Sequence, residues 1–203
     1  NLVLLEKLSK NEICYVRHSA VVKIYGFPVA FSVSHSVRAV FSSAPKLKDF
    51  GNTRQGLVTG ENDRFLRFWH EVAMSNVNLH ARPGDTTNSV YKWFPCHKGG
   101  PYRKWYGNTD YFVNWQNDGF EIQNFLDENG KLRSRPQNKE YYFRQGITWS
   151  TLSSSSLSMR FSPEGSIFEH KGSMFFAEDE SMLKYILGFA NTKLANVFLS
   201  AIS

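Results

Sequence analysis

The chain has 203 residues, a formal charge of +6, a hydrophobic fraction of 41% and an aromatic fraction of 15%. That length suits one sizeable domain, or one domain with a helical annex, and the apolar content excludes a disordered chain. No segment approaches 18 consecutive apolar residues and no signal peptide is visible, so neither a membrane span nor a membrane partner is expected.

In chain order, Ile13–Arg17 alternates as a strand and Tyr25–Pro28 reads as a turn. Val33, Val37 and Val40/Phe41 recur at helical spacing, with Ser32 or Ser34 as N-cap and Ser42–Pro45 as the stop. A boundary is expected near Lys46–Asp49. From Gly51 to Gly172 short strands and loops dominate, with strand candidates at Phe65–Val72, Val90–Phe94, Tyr111–Trp115, Thr148–Ser150, Met159–Phe161 and Ile167–Phe168. The first fits a helix equally well. Helices are expected at Gly119–Leu126 and, shorter, at Lys139–Phe143. After acidic Glu178–Glu180, Met182, Ile186 and Phe189 form a helical stripe. Asn191 or Thr192 then caps a second run through Leu194, Val197, Phe198 and Ile202. The fold expected is mixed α+β: a short-stranded twisted sheet with long loops, flanked by an N-terminal helix and a C-terminal helical pair.

Two cysteines, Cys14 and Cys96, lie far apart and form no CxxC, which favours a reducing, cytoplasmic setting over a disulfide framework. The chain begins at Asn1 and ends in an apolar helical run, and is read as a piece of a longer protein.

Three stretches could carry function. Gly56–Phe65 is a glycine-hinged loop offering Thr59, Asn62 and Asp63, with Arg54 and Gln55 just before it. Such a loop can hold a phosphate on backbone amides, set Asn against an adenine edge, or simply turn the chain with Asn62 as cap. Lys92–Asn108 carries four cations, five aromatics and no carboxylate in 17 residues. Its cations (Lys92, Lys98, Arg103, Lys104) are read as phosphate-facing and its rings mainly as anchors onto a core. Arg133–Ser158 sets Arg133, Arg135 and Arg144 around Tyr141-Tyr142-Phe143, ahead of a serine run of six in nine residues. Its alternative reading is a flexible surface loop.

Enzyme signatures are missing. There is no Walker loop, GxGxxG, HExxH or GxSxG, and Cys96-His97 has no second pair at ligand spacing, so no metal is expected.

In order along the chain, RQGLVTGENDRFLRFWHEV (Arg54–Val72), KWFPCHKGGPYRKWYGNTDYFVNW (Lys92–Trp115), NDGFEIQNF (Asn117–Phe125) and EYYFRQGITWS (Glu140–Ser150) resemble the specificity region of fused adenine-specific DNA methyltransferases. The likeness is greatest to those of BREX-type (phage-growth-limitation) phage-defence systems. ILGFANTKLANVFL (Ile186–Leu199) and IYGFPVAFSVS (Ile24–Ser34) extend the resemblance to nearly the whole chain.

The resemblance implies a whole protein that methylates adenine N6 with S-adenosylmethionine. The Asn-Pro-Pro-Tyr-type motif and glycine-rich cofactor loop of such enzymes are absent here, so no cofactor and no catalytic residue are expected in this chain. It is read as a target-recognition domain (residues 49–203) preceded by a connector (1–48) from an upstream catalytic domain. Double-stranded DNA is the expected partner, together with the upstream methyltransferase domain and other phage-defence proteins. Arg54, Lys92, Lys98, Arg103 and Lys104 are candidates for phosphates; Thr59, Asn62, Arg133, Arg135 and Arg144 are candidates for bases or nearby loop contacts. Three readings compete: the recognition part of a fused methyltransferase-endonuclease, a protein-docking module, and a single-strand binder.

Overall fold

The computed structural model describes residues 35–151 and 156–200. The strand expected at 13–17, the turn at 25–28, the caps Ser32 and Ser34, Cys14 and part of the serine run lie outside the described residues.

The elements begin with α1 (His35–Ser43), β1 (Gly51–Arg54), α2 (Asn62–Phe65), β2 (Leu66–Phe68), β3 (Trp93–His97), β4 (Tyr111–Asn114) and α3 (Gln116–Gln123). They continue with β5 (Gly146–Trp149), β6 (Met159–Ser162), β7 (Ile167–Phe168), β8 (Met174–Ala177), α4 (Leu183–Ala190) and α5 (Lys193–Ser200). The fold is α+β, as its mixed periodicities predict. Two compact units make up the chain: Asn1–Lys46 with Thr192–Ser203, and Leu47–Asn191. In the first, the rings of Phe41 on α1 and Phe198 on α5 meet edge to face at 5.5 Å. Thr192 caps α5, its Oγ1 accepting from Ala195 N at 3.1 Å.

The second unit holds two four-stranded sheets where one was expected. The first, in the order β1-β8-β5-β6, is antiparallel throughout. The second, in the order β2-β4-β3-β7, is antiparallel except where β3 meets β7. That parallel pairing begins at Cys96, just past Pro95, which has no N–H to give a second neighbour. Phe65, Phe94, Val113, Trp115, Tyr142, Ile167, Phe168 and Phe176 belong to one large core. Ile147, Met159, Phe175 and Leu183 form a smaller one under α4, at whose approach Asp179 accepts from Ser181 N at 2.9 Å.

Several expected elements shift. The expected helix at 119–126 is instead α3, which starts earlier and whose Asn117, Asp118 and Gly119 are left-handed, with φ of 52°, 58° and 75°. Asp118 is held there by hydrogen bonds from the Thr86 and Thr87 hydroxyls. The helix expected at 139–143 is a single 3₁₀ turn, Lys139–Tyr141. At 65–72 the chain forms strand β2 followed by a 3₁₀ turn, Trp69–Glu71. Among the described residues no helix is long and apolar enough to cross a membrane.

Candidate nucleic-acid interface

At the start of the 56–65 loop the backbone amides are spent on packing rather than presented as a cradle. Leu57 N donates to Phe168 O at 2.8 Å and Val58 N to Arg135 O at 3.0 Å, so these amides are occupied. A Cβ on Gly56 would stand 1.8 Å from Phe168 O, so that glycine serves close packing. The pairing with Arg135 is reciprocal, since Arg135 N donates to Val58 O at 2.8 Å. It brings two stretches expected to read bases side by side. Glu61 and Arg133 add an ion pair at 3.7 Å. Arg64 and Arg133 both hold their guanidinium carbons 4.9 Å from the Phe125 ring centre, leaving two exposed cations on one aromatic support.

Thr59 and Asn62 are corrected by their surroundings. Thr59 is buried and cannot face a base edge. Asn62 turns its amide oxygen to Lys98 Nζ at 3.2 Å and donates to Thr59 Oγ1 at 2.7 Å and Glu169 Oε1 at 3.2 Å. The opposite orientation would set the amide oxygen against a carboxylate and the amide N–H₂ against an ammonium. With both N–H groups engaged, Asn62 positions Lys98 rather than presenting an adenine-type fork. Glu169 is 1% exposed, and burial raises its pKa while the Lys98 charge opposes that rise. Its Oε2 has no hydrogen-bond partner. Lys98 also lies 4.7 Å over the Tyr111 ring.

Beside this network opens a cleft of about 350 Å³ lined by Asn62, Asp63, Leu66, Arg67, Phe68, Glu71, Lys98 and Tyr111. Phe68 lies 4.6 Å from Tyr111 and stacks on His70 at 5.5 Å, while Trp69 beyond it is exposed.

The remaining candidate cations divide by how they are held. Arg54 and Arg144 flank Tyr141, with guanidinium carbons 4.8 Å and 5.3 Å from its ring centre, and Arg54 also donates to its hydroxyl at 3.1 Å. Lys92 pairs with Glu121 at 3.8 Å. Lys104 donates to Asn191 O at 2.7 Å, capping the carbonyl end of α4, which makes it a structural cation. Arg103, Arg135 and Arg144 are exposed. The Arg103 stretch is supported from beneath by Arg160, 1% exposed, which donates to Arg103 O at 3.3 Å and Ser150 Oγ at 3.4 Å. Burial lowers the Arg160 pKa, and the Arg103 charge adds to that.

The aromatics of 92–108 also divide. Phe94 is core, whereas Tyr102, Trp105 and Tyr106 are 51%, 54% and 59% exposed, so the expectation that these rings mainly anchor the loop holds for only part of the set. Arg64, Arg67, Phe68 and Trp69 join the candidate surface although the sequence does not single them out. The signal was the cation–aromatic alternation Arg64-Phe65-Leu66-Arg67-Phe68-Trp69, which reads first as core periodicity. Among the described residues no cluster of His, Cys, Asp and Glu could hold a metal.

No protein-family model matches the chain. It is 38% identical over 187 residues to the adenine-specific methyltransferase PglX of Lacticaseibacillus casei (strain Zhang). It is 36% identical over 184 residues to the adenine-specific methyltransferase BrxX of Escherichia coli O9:H4 (strain HS). Each match takes in 89% of this chain but only 15% and 14% of the respective relatives. The chain is thus similar, over most of its own length, to a short segment of proteins named adenine-specific methyltransferases.

Proposed function

We propose that the chain is the DNA target-recognition part of an adenine-N6 DNA methyltransferase, gripping duplex DNA so that a catalytic domain elsewhere receives the target base. The observation that carries this reading is the pairing of the 56–65 loop with the Arg133–Arg135 segment, which sets Arg64 and Arg133 on one aromatic ring with exposed Arg135 two residues along. Such a face is suited to phosphates, which set register without reading sequence. The arginines of this face all lie in the compact unit Leu47–Asn191, which makes up most of the recognition module expected at 49–203. The methyl donor of the whole protein is S-adenosylmethionine, and the glycine-hinged loop at 56–65 is not built to hold it at its start, where Gly56 is packed on Phe168 and the amides of Leu57 and Val58 are occupied. In this reading catalysis and adenine capture fall to another part of the whole protein.

Fluorescence anisotropy with a labelled duplex, competed by unlabelled duplex or single strand, tests the reading. Preferential competition by duplex supports it. Equal or better competition by single strand favours stacking on Tyr102, Trp105 and Tyr106 instead. Binding that ignores salt points to a protein-docking surface built on the same rings.

A further inference from the structure

Lys98 differs from every other candidate cation in where its ammonium is held. It is half-buried at the wall of the cleft, fixed by Asn62 Oδ1 at 3.2 Å and the Tyr111 face at 4.7 Å. An ammonium has three N–H donors, so those two contacts leave one for a group entering the cleft. The fixing is deep-rooted, because Asn62 is itself tied to the buried Glu169. Arg67 lines the same cleft but turns its Nη1 to the Asp63 and Leu66 carbonyls at 2.5 Å and 2.6 Å. Glu71 is likewise occupied, accepting from Phe68 N at 2.6 Å. Arg67 and Glu71 are thus each committed in part to the local backbone, while Lys98 keeps a free N–H and the exposed Asp63 carboxylate a free acceptor, with no ion pair joining these two among the described residues.

In this cleft the carboxylates of Asp63 and Glu71 offset the cations of Lys98 and Arg67, so a phosphate would gain little net attraction while losing its own hydration. A neutral ligand with acceptors beside a donor meets no such penalty. The major-groove edge of a G·C pair is that ligand, presenting guanine N7 and O6 as acceptors and cytosine N4–H₂ as donor.

We propose that the cleft reads one G·C base pair, Lys98 Nζ donating to guanine O6 or N7 and Asp63 accepting from cytosine N4. Phe68 supplies an apolar wall against the neighbouring step. The inference rests on the DNA-recognition reading and reassigns Lys98 from phosphate to base.

The test is selection of bound duplexes from a randomised pool by the 203-residue chain, its Lys98→Gln variant and its Asp63→Asn variant, with the salt dependence of binding measured for each. The expected result is a G·C requirement at one position that both variants relax, by roughly tenfold to a hundredfold in discrimination, with the salt slope unchanged. Asp63 is exposed, so the Asp63→Asn variant keeps the test valid where Lys98→Gln fails to fold. Unaltered preference with a salt slope lower by about one for Lys98→Gln overturns the inference and makes Lys98 a phosphate contact. Duplex binding without sequence preference in the unmodified chain overturns it too, while leaving the DNA-binding reading in place. Absence of duplex binding ends both.

Discussion

Gly60 and Arg133 are in backbone contact: a Cβ added at Gly60 would stand 2.8 Å from Arg133 O. This contact seats the loop that carries Asn62 and Arg64 against the strand-like segment that carries Arg133 and Arg135. Gly60 also has φ of +80°, a conformation that disfavours any side chain. Gly60→Ala is therefore expected to cost about 1–3 kcal/mol, from left-handed strain plus displacement of the Arg133 backbone. Thermal unfolding should show a midpoint lower by roughly 2–10 °C. The variant should also bind duplex DNA more weakly, since the arginines on both sides lose their common seating.

Neighbours in sequence, Arg103 and Lys104 should part company when mutated. Lys104→Met removes the donor to Asn191 O and should cost about 0.5–1 kcal/mol of stability while leaving the salt dependence of DNA binding unchanged. Arg103→Ala should leave the unfolding midpoint in place and make binding less salt-dependent by about one phosphate. Melting curves and salt titrations of the two single variants separate the roles. The reverse pattern would contradict them.

Acid should act through His97. It is 2% exposed, Nε2 lies 2.7 Å from Ser162 Oγ, and Nδ1 has no partner. Burial holds its pKa down at about 4, with Arg160 adding to the shift. A depressed pKa means that the neutral ring's contribution is complete above the unfolded value of 6.5 and is lost as pH falls through about 4. The full loss is roughly 3 kcal/mol. Glu169 works in the opposite sense: its raised pKa favours the folded state at low pH, and that contribution is lost as pH rises through the folded value. Urea unfolding between pH 7 and pH 4 should therefore show an acid-side loss that His97→Gln reduces, and the difference between the two proteins isolates the histidine. An identical pH dependence in both would exclude it.

What could be read in the sequence was whatever local pattern dictates. Tyr111–Asn114 is rich in strand formers and lies where a strand was expected, and Met159–Ser162 also falls on an expected strand. Strand β8 was missed because Met174, Phe175, Phe176 and Ala177 are all buried, so no alternation marks them. Strand β1 was missed because Gly51, Asn52, Thr53 and Arg54 have little strand preference, and only pairing with β8 makes them extended. The split into two sheets depends on which strands pair over long separations, which periodicity does not encode. At the site, the chemistry of Lys98 and Asn62 was visible as residue type. Their roles were not, because Glu169, which engages the Asn62 amide, comes from a distant part of the chain. Lys104 and Arg103 look alike in sequence and differ only because α4 ends beside one of them.

The most direct measurement is the salt dependence of duplex binding by the chain and by its Arg103→Ala/Arg133→Ala/Arg135→Ala variant, all three positions being exposed. The account predicts binding that weakens steeply with salt, and a variant whose log–log slope is shallower by about 2–3, as expected for three lost phosphate contacts. A variant that binds with the same slope and affinity as the unmodified chain would contradict the claim that these arginines grip DNA.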